Sequence, residues 1–155
     1  MDYGLRLLPA LLLLIVANAA PVVAAMLLRG RFAAPLDFGA TLHDGTRVLG
    51  DHKTWRGVVV GVAACAIAAH LLGLTFTVGF EFGALSLLAD TAASFVKRRL
   101  RLAAGTEVPG LDQIPEALLP LWVLSTPLGI GLTDCLLITA AFLILDIAFV
   151  RFRHR

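Results

Sequence analysis

Three places in this sequence combine residue types that suit the chemistry of phosphates and hard cations. The first is the stretch around Asp90. A helix rising 1.5 Å per residue would set Asp90, seven positions before Lys97, roughly 10 Å below a cluster of basic residues. Asp90, Ser94, Lys97 and Arg98 follow i, i+4, i+7, i+8 spacing, so a helix would carry a carboxylate, a hydroxyl and two cations along one face. The second is the segment 35–57. Gly39, Gly45, Gly50 and Gly57 let the backbone turn or approach a ligand, while Asp37, Asp44, Asp51, Arg47, Lys53 and Thr54 offer groups suited to phosphate and metal. The third is Glu107-Val-Pro-Gly-Leu-Asp-Gln-Ile-Pro-Glu116. Its Pro109-Gly110 turn would return the chain and deliver Asp112, and with it Glu116, to the rim where the basic cluster lies. Each has a plainer reading: Asp90 as the structural partner of a buried cation, 35–57 as a solvated loop with Asp-Gly turns, and the acids of 107–116 as caps on a following helix.

The elements that must hold these groups are read from hydropathy. Of 155 residues, 59% are hydrophobic and only 15% charged, and the mean hydropathy is +0.88, well outside the range of water-soluble domains. Spanning helices need about 20 mostly apolar residues. Five apolar segments, 5–28, 57–74, 82–96, 114–126 and 132–150, therefore predict an all-α integral membrane protein, a single bundle of five transmembrane helices around a cytosol-facing polar cavity. One polytopic domain, residues 1–155, accounts for the whole chain, with polar loops at about 29–56 and 97–113. The segment 5–28 is longer than the apolar core of a signal peptide and carries Asn18 and Pro21, so it is read as a retained helix.

Charge placement sets the sides. Twelve of the 13 Lys and Arg fall in the two polar loops and the tail after residue 150, and only Arg6 lies opposite. The positive-inside rule then puts both loops and the C-terminus in the cytosol and the N-terminus outside, in the cell membrane. A net charge of +2 concentrated at membrane edges speaks against a nucleic-acid partner. Cys65 and Cys135 sit in apolar runs without a Cys or His at ligand spacing, so neither a disulfide nor a zinc site is expected. His70 and Asp134 read as interfacial, Asp146 as the partner of a cytosolic Arg, and Trp55 and Trp122 as interface anchors.

Taken in order, residues 18–21, Pro35-Leu-Asp-Phe-Gly39, Asp44-Gly45, Leu49-Gly-Asp-His-Lys-Thr-Trp-Arg-Gly57, Asp90-x-x-x-Ser94-x-x-Lys97-Arg98-Arg99 and Leu111-Asp112-Gln113 resemble the pattern of the CDP-archaeol synthases, over about two thirds of the chain. The Lys-Thr-x-x-Gly and Asp-x-x-x-Ser-x-x-Lys-Arg elements also resemble the CDP-diacylglycerol synthases. The resemblance implies a five-helix, Mg²⁺-dependent membrane cytidylyltransferase that moves CMP from CTP to a lipid phosphate, of archaeol-type ether or phosphatidate-like form. By motif it implies that Asp90 and Asp112 hold metal, and that Lys53, Thr54, Lys97, Arg98 and Arg99 grip the triphosphate. Ser94 would orient phosphate or metal-bound water, and Asn18 would polarise the cavity to which Asp37, Asp44 and Asp51 contribute. Two positions depart from the pattern: Ala93 stands where an acid often precedes the Ser, and Pro115 where an acid commonly follows Asp112. Glu116, one place further, is the substitute metal ligand.

Two other functions share these features, a small transporter with Asp90 in its path and a catalytically silent membrane partner. The absence of an inverted repeat weighs against the transporter. The charge asymmetry makes a direct prediction. A reporter fused after Arg155 is expected to read cytosolic; an extracytoplasmic signal overturns the assignment of sides.

Overall fold

The computed structural model describes residues 3–104, 106 and 108–153. Glu107 and Arg155 lie outside the described residues, as do the side chains of Arg6, Arg151 and Arg153. Six helices follow one another among the described residues: α1 (Tyr3–Leu28), α2 (Trp55–Leu71), α3 (Phe76–Arg99), α4 (Gln113–Val123), α5 (Ser125–Leu128) and α6 (Leu132–Arg153). Five of them overlie the five apolar segments, and α5 is a single extra turn. Its cause is local: Pro127 has no N–H to offer the Val123 carbonyl, so the helix expected over 114–126 breaks after α4. Leu128 N–H then closes onto Leu124 O at 3.0 Å, and Gly129, at φ 65°, ends the turn.

Helix α3 runs well beyond the expected 82–96. Thr75 caps its start by accepting from Val78 N–H at 3.3 Å, and the basic residues 97–99 occupy its last turn, where a helix dipole favours cations. The apolar segment ends before the helix does because the last turn of α3 is charged even on its packed side, where Lys97 and Arg98 are buried. The 22-residue stretch Leu7–Leu28, with mean hydropathy 2.5, is the one described segment long and apolar enough by itself to cross a membrane. Helix α2 is apolar but 17 residues long.

The bundle's core joins Leu13 and Leu14 of α1, Phe82 of α3, Leu121 of α4 and Phe142 of α6. Helix α1 is thus part of the packing, as the retained-helix reading requires. The outside is apolar too. Met26, Leu27, Leu71, Leu88 and Ile144 are each at least 60% exposed, a surface suited to hydrocarbon, while the polar groups turn inward.

Helices α2 and α3 make the broadest contact in the bundle, and two glycines of α3 permit it. A Cβ on Gly79 would lie 2.4 Å from Cys65 O and 2.7 Å from Ala66 Cα, and one on Gly83 would lie 2.9 Å from Cys65 Cβ. The Gly57-x-x-x-Gly61 pair allows close packing of α2 against α1 and α3: a Cβ on Gly61 would meet Leu87 at 2.7 Å and Pro21 at 3.2 Å. Because the atoms facing Gly79 are backbone, they cannot swing away. Gly79→Ala is expected to destabilise the bundle by about 1–3 kcal/mol, while Gly4→Ala, with nothing within 4 Å of the added methyl, costs nothing. Thermal unfolding of the two variants in detergent checks the ordering.

Candidate active site

Thr54 is the last residue before α2. Its hydroxyl oxygen accepts from Gly57 N–H at 3.2 Å, so it serves as the N-cap, and the position before it is fixed as a consequence. An antiparallel bridge pairs Thr54 with Pro35, and Leu36 N–H donates to Lys53 O at 2.7 Å. Held in this way, the Lys53 ammonium reaches α3 and pairs with Asp90. Both side chains are mostly buried, 24% and 22% exposed. Asp90 therefore has the cationic partner that its depth demanded, and the partner comes from the first polar loop.

At the end of α3, Lys97 lies between the two Asp112 oxygens. It donates to Oδ2 at 2.9 Å and to Thr106 O at 2.9 Å. Asp112 Oδ1 is 2.8 Å from the same nitrogen but off the line of a hydrogen bond, and it is buried without one. Asp112 also accepts from Val108 N–H at 3.3 Å and makes no side-chain cap on α4. Capping is thus not what holds Asp112 in place. Arg98 donates to Ala103 O at 2.6 Å, with its Nε buried and unpartnered. Arg99 donates to Arg47 O at 2.8 Å and to Asp44 at 3.4 Å, and stacks over Phe95. Ser94 is buried one turn below, on the side of the helix shared with Asp90.

The first polar loop is an organised element rather than a solvated connector. Its centre is Asp37, whose side chain is 2% exposed. It takes a two-point contact from Arg47, at 2.7 and 3.3 Å, and backbone N–H bonds from Gly39, Leu49 and Gly50 at 3.0–3.1 Å. Asp37 is committed to folding the loop and does not face a cavity. Asp44 caps its own turn through Thr46 at 2.7 and 3.0 Å. Asp51 is 79% exposed and pairs with Arg47.

Deeper in the bundle, Asn18 of α1 donates to Glu116 Oε2 at 3.4 Å and Ser86 of α3 to Glu116 Oε1 at 3.5 Å. Glu116 is 4% exposed. It points into the core and not to the rim with Asp112, because helical spacing turns position 116 inward at the start of α4. The three expected metal ligands are therefore not gathered at one point: Asp90 and Asp112 each face a lysine and Glu116 faces Asn18 and Ser86. Among the described residues no group of three or more His, Cys, Asp or Glu stands at metal-ligand spacing. Asp146 also differs from expectation. Its partner is the Gln113 side-chain amide, at 2.6 Å, and not an arginine.

Four contacts between distant elements, Lys53–Asp90, Lys97–Asp112, Arg99–Asp44 and Asn18–Glu116, join residues that the sequence had singled out separately. Ser86 and the Gln113–Asp146 pair were missed as contributors. Ser86 was within reach of the spacing argument, since it lies one turn before Asp90.

Two cavities flank this array. A polar one of about 510 Å³ is lined by Asp44, Arg47, Asp51, Arg98, Arg101 and the backbone near Gly50. An almost wholly apolar one of about 600 Å³ lies between α3, α4 and α6, with Ala89, Ala93 and Val96 on one wall and Pro115, Leu119 and Trp122 on another. On α3 the apolar wall adjoins the face of Asp90 and Lys97. Ala93 and Pro115, the two departures from the motif pattern, both belong to this apolar lining. Trp122 is 72% exposed on the bundle's surface.

An all-helical bundle with an apolar exterior and a charged rim of paired lysines and carboxylates is the class of architecture this chain defines. A family model described as CarS-like CDP-archaeol synthase matches residues 5–154, and the chain belongs to that family. The CDP-archaeol synthase of Pyrococcus furiosus is 38% identical over 107 residues, covering 63% of this chain and 60% of that protein. Those of Thermofilum pendens and Aeropyrum pernix are 42% and 45% identical, each over 64% of this chain and over 51% and 57% of their own length. The matched region thus spans between half and two thirds of these relatives. A solved structure of an intramembrane enzyme for archaeal membrane lipid biosynthesis superimposes with a TM-score of 0.70 at 37% identity, covering 93% of this chain and 89% of that one.

The Arg47 guanidinium, aided by the three backbone N–H donors, holds the Asp37 carboxyl well below its ordinary value of 3.8. A depressed folded value stabilises the loop fully above 3.8, and the stabilisation is lost as pH falls from there toward the folded value. Hydrogen exchange at Leu49 and Gly50 is therefore expected to lose protection below about pH 4. In Asp37→Asn that protection should be weak at every pH and no longer change across this window.

Proposed function

We propose that this chain is a membrane cytidylyltransferase that transfers CMP from CTP to a lipid phosphate, giving a CDP-lipid and pyrophosphate. What carries the reading is a single juxtaposition: Asp90 and Lys97, the α3 members of two lysine–carboxylate pairs, are neighbours along the helix of Ala89, Ala93 and Val96, which line an apolar cavity, and of Arg98, which lines a polar one. A reaction between a soluble nucleotide and a lipid headgroup needs such a junction. Family membership and the likeness to an intramembrane enzyme support it. The same reading takes α1, α2, α3, α4 with α5, and α6 as five membrane crossings, with the polar cavity and the C-terminus in the cytosol and the N-terminus outside.

The reaction forms a bond from a lipid phosphate oxygen to the α-phosphorus of CTP while the bond from that phosphorus to the bridging oxygen breaks, its electron pair leaving with pyrophosphate. No nucleophilic side chain is needed. The demand on the protein is to neutralise phosphate charge and hold the reactants in line. Arg98, with an unpartnered buried Nε, lines the polar cavity from the end of α3, Arg99 is tied to Asp44 and Arg47 of its wall, and Lys53 and Lys97 are paired with Asp90 and Asp112. Thr54 caps α2 with its oxygen and keeps a hydroxyl proton to donate, and Ser94 adds a hydroxyl one turn below Lys97. Lipid chains, of archaeol-type ether or phosphatidate-like acceptors, fit the apolar cavity, whose small Ala89 and Ala93 leave room beside the reacting face.

The side chains also fit a magnesium ion. Asp112 Oδ1 is buried and held by its ion pair with Lys97, 2.8 Å away, and Mg²⁺ takes one or two carboxylates with phosphate oxygens and water in preference to a cage of protein ligands. Asp90 and Asp112 would hold it, and it would offset charge developing on the phosphates. Glu116 is too deep to share in this and serves the core. When the nucleotide binds, Lys53 and Lys97 would turn from these carboxylates to the triphosphate.

Purified protein given CTP, Mg²⁺ and a lipid phosphate should release pyrophosphate and form a CDP-lipid. A transporter or a silent partner would do neither. Asp90→Asn keeps size and hydrogen-bonding capacity but removes the charge and with it the ion pair to Lys53, so some stability is lost on either reading, and turnover per folded molecule should fall by about a hundredfold or more. If Asp90 merely neutralises Lys53, the folded fraction of the variant should keep its turnover. That second outcome removes Asp90 from the chemistry.

A further inference from the structure

Asp112 is held in place by surprisingly little of its own helix. It accepts no cap bond, it precedes α4, and its contacts are Lys97 and the Val108 N–H. The residue after it is anchored on both sides. Gln113 is 6% exposed. Its Oε1 accepts from Gly110 N–H at 2.8 Å, and its Nε2 donates to Asp146 Oδ2 at 2.6 Å. One side chain thus ties the turn before Asp112, where Gly110 sits at φ 87°, to the middle of α6, 33 residues away. Asp112 lies between the two ends of this clamp, Gly110 and Gln113.

We infer that Asp146 is a positioning residue: through Gln113 it fixes the Gly110–Gln113 turn to α6 and so sets Asp112 against Lys97. A carboxylate is a good anchor at this depth because an acceptor bearing charge makes a short, strong bond to an amide, and because the amide leaves that end of Gln113 no other use. Asp146 itself touches neither Lys97 nor Asp112. What it supplies is the acceptor. An Asn in its place offers the same acceptor through its amide oxygen, whereas Ala offers none and frees the turn. The role rests on the reading of Asp112 as part of the reacting centre.

The test uses the full chain in detergent with CTP, Mg²⁺ and a lipid phosphate, and counts sites by CTP-binding stoichiometry so that kcat is per competent molecule. Asp146→Ala is expected to lower kcat by about 10–100-fold, the usual cost of losing a partner that orients a ligating group, with KM for CTP within about twofold of the parent. Amide exchange should quicken at Val108 and Gly110 and stay unchanged in α2 and α3. Asp146→Asn should restore both. Gln113→Met, which keeps the shape of the side chain without its hydrogen bonds, provides a second route should Asp146→Ala fold poorly, and should reproduce the loss. Faster exchange with kcat unchanged would make the clamp merely structural and overturn the inference. So would an Asp146→Asn variant as impaired as Asp146→Ala, which would put the effect in the charge. Absence of pyrophosphate release by the unaltered protein is a different result: it removes the proposed activity, not the clamp.

Discussion

The cost of placing charge in a low-dielectric bundle governs most of this structure. Each buried ion loses several kcal/mol of hydration, and pairing repays that only where the remaining donors and lone pairs are also satisfied. The rim of α3 meets this condition through backbone. Lys97 spends one N–H on Asp112 and another on Thr106 O. Arg98 takes Ala103 O and Arg99 takes Arg47 O. The connector 100–112 is folded down onto the helix end because those cations need its carbonyls. The first polar loop is drawn in from the other side by Lys53 and Asp90.

Close helix packing is the second half of the same constraint. Lys53 can reach Asp90 only if α2 starts beside the lower half of α3, and Gly79 and Gly83 let the two backbones approach where a methyl group would collide with Cys65 and Ala66. Pro21 of α1 fills against Gly57 and Gly61 on the same buried face of α2, where Gly61 also meets Leu87 of α3. Small residues replace a hydrophobic drive that is weak between helices whose outer surfaces are all apolar. The bundle is then tight enough for Asn18, Ser86 and Glu116, from three helices, to find one another in its core.

The sequence made most of the elements legible, and some of the contacts of the candidate site. Asp90 was readable because a carboxylate in an apolar run is costly, and the i, i+4, i+7 spacing tied it to Lys97 whatever the helix's ends turned out to be. Helix ends were less legible: α3 starts at residue 76 because Thr75 caps it, and a single Thr is a weak signal amid Phe, Val and Gly. The break before α5 was carried by Pro127, which the apolar count smoothed over. Asp37 was misjudged for a different reason. A carboxylate among glycines is equally suited to a ligand or to its own loop, and only the folded chain shows Leu49 and Gly50, more than ten residues on, turning their N–H groups toward it. Partner choice across the bundle, as in Gln113 with Asp146 and Glu116 with Asn18, depends on helix rotation, which no local pattern encodes.

The ion pairs of the rim bear on how the proposed reaction would be switched on. An ammonium cannot serve a carboxylate and a phosphate equally at once, and a triphosphate carries more charge than one aspartate. If the nucleotide of the proposed reaction took Lys53 and Lys97, Asp90 and Asp112 would be left as uncompensated carboxylates at about a fifth exposure or less, a state that is costly without a new cation. Asp90 and Asp112 would then hold a divalent ion, which would supply the missing positive charge. Nucleotide and metal would each make the other's binding more favourable by the same factor, as linkage requires. On the proposed reading the lysine–aspartate pairs would be more than passive neutralisation. They would hold the carboxylates in place before substrate arrives, and would make entry of the nucleotide alone or the metal alone less favourable than entry of both.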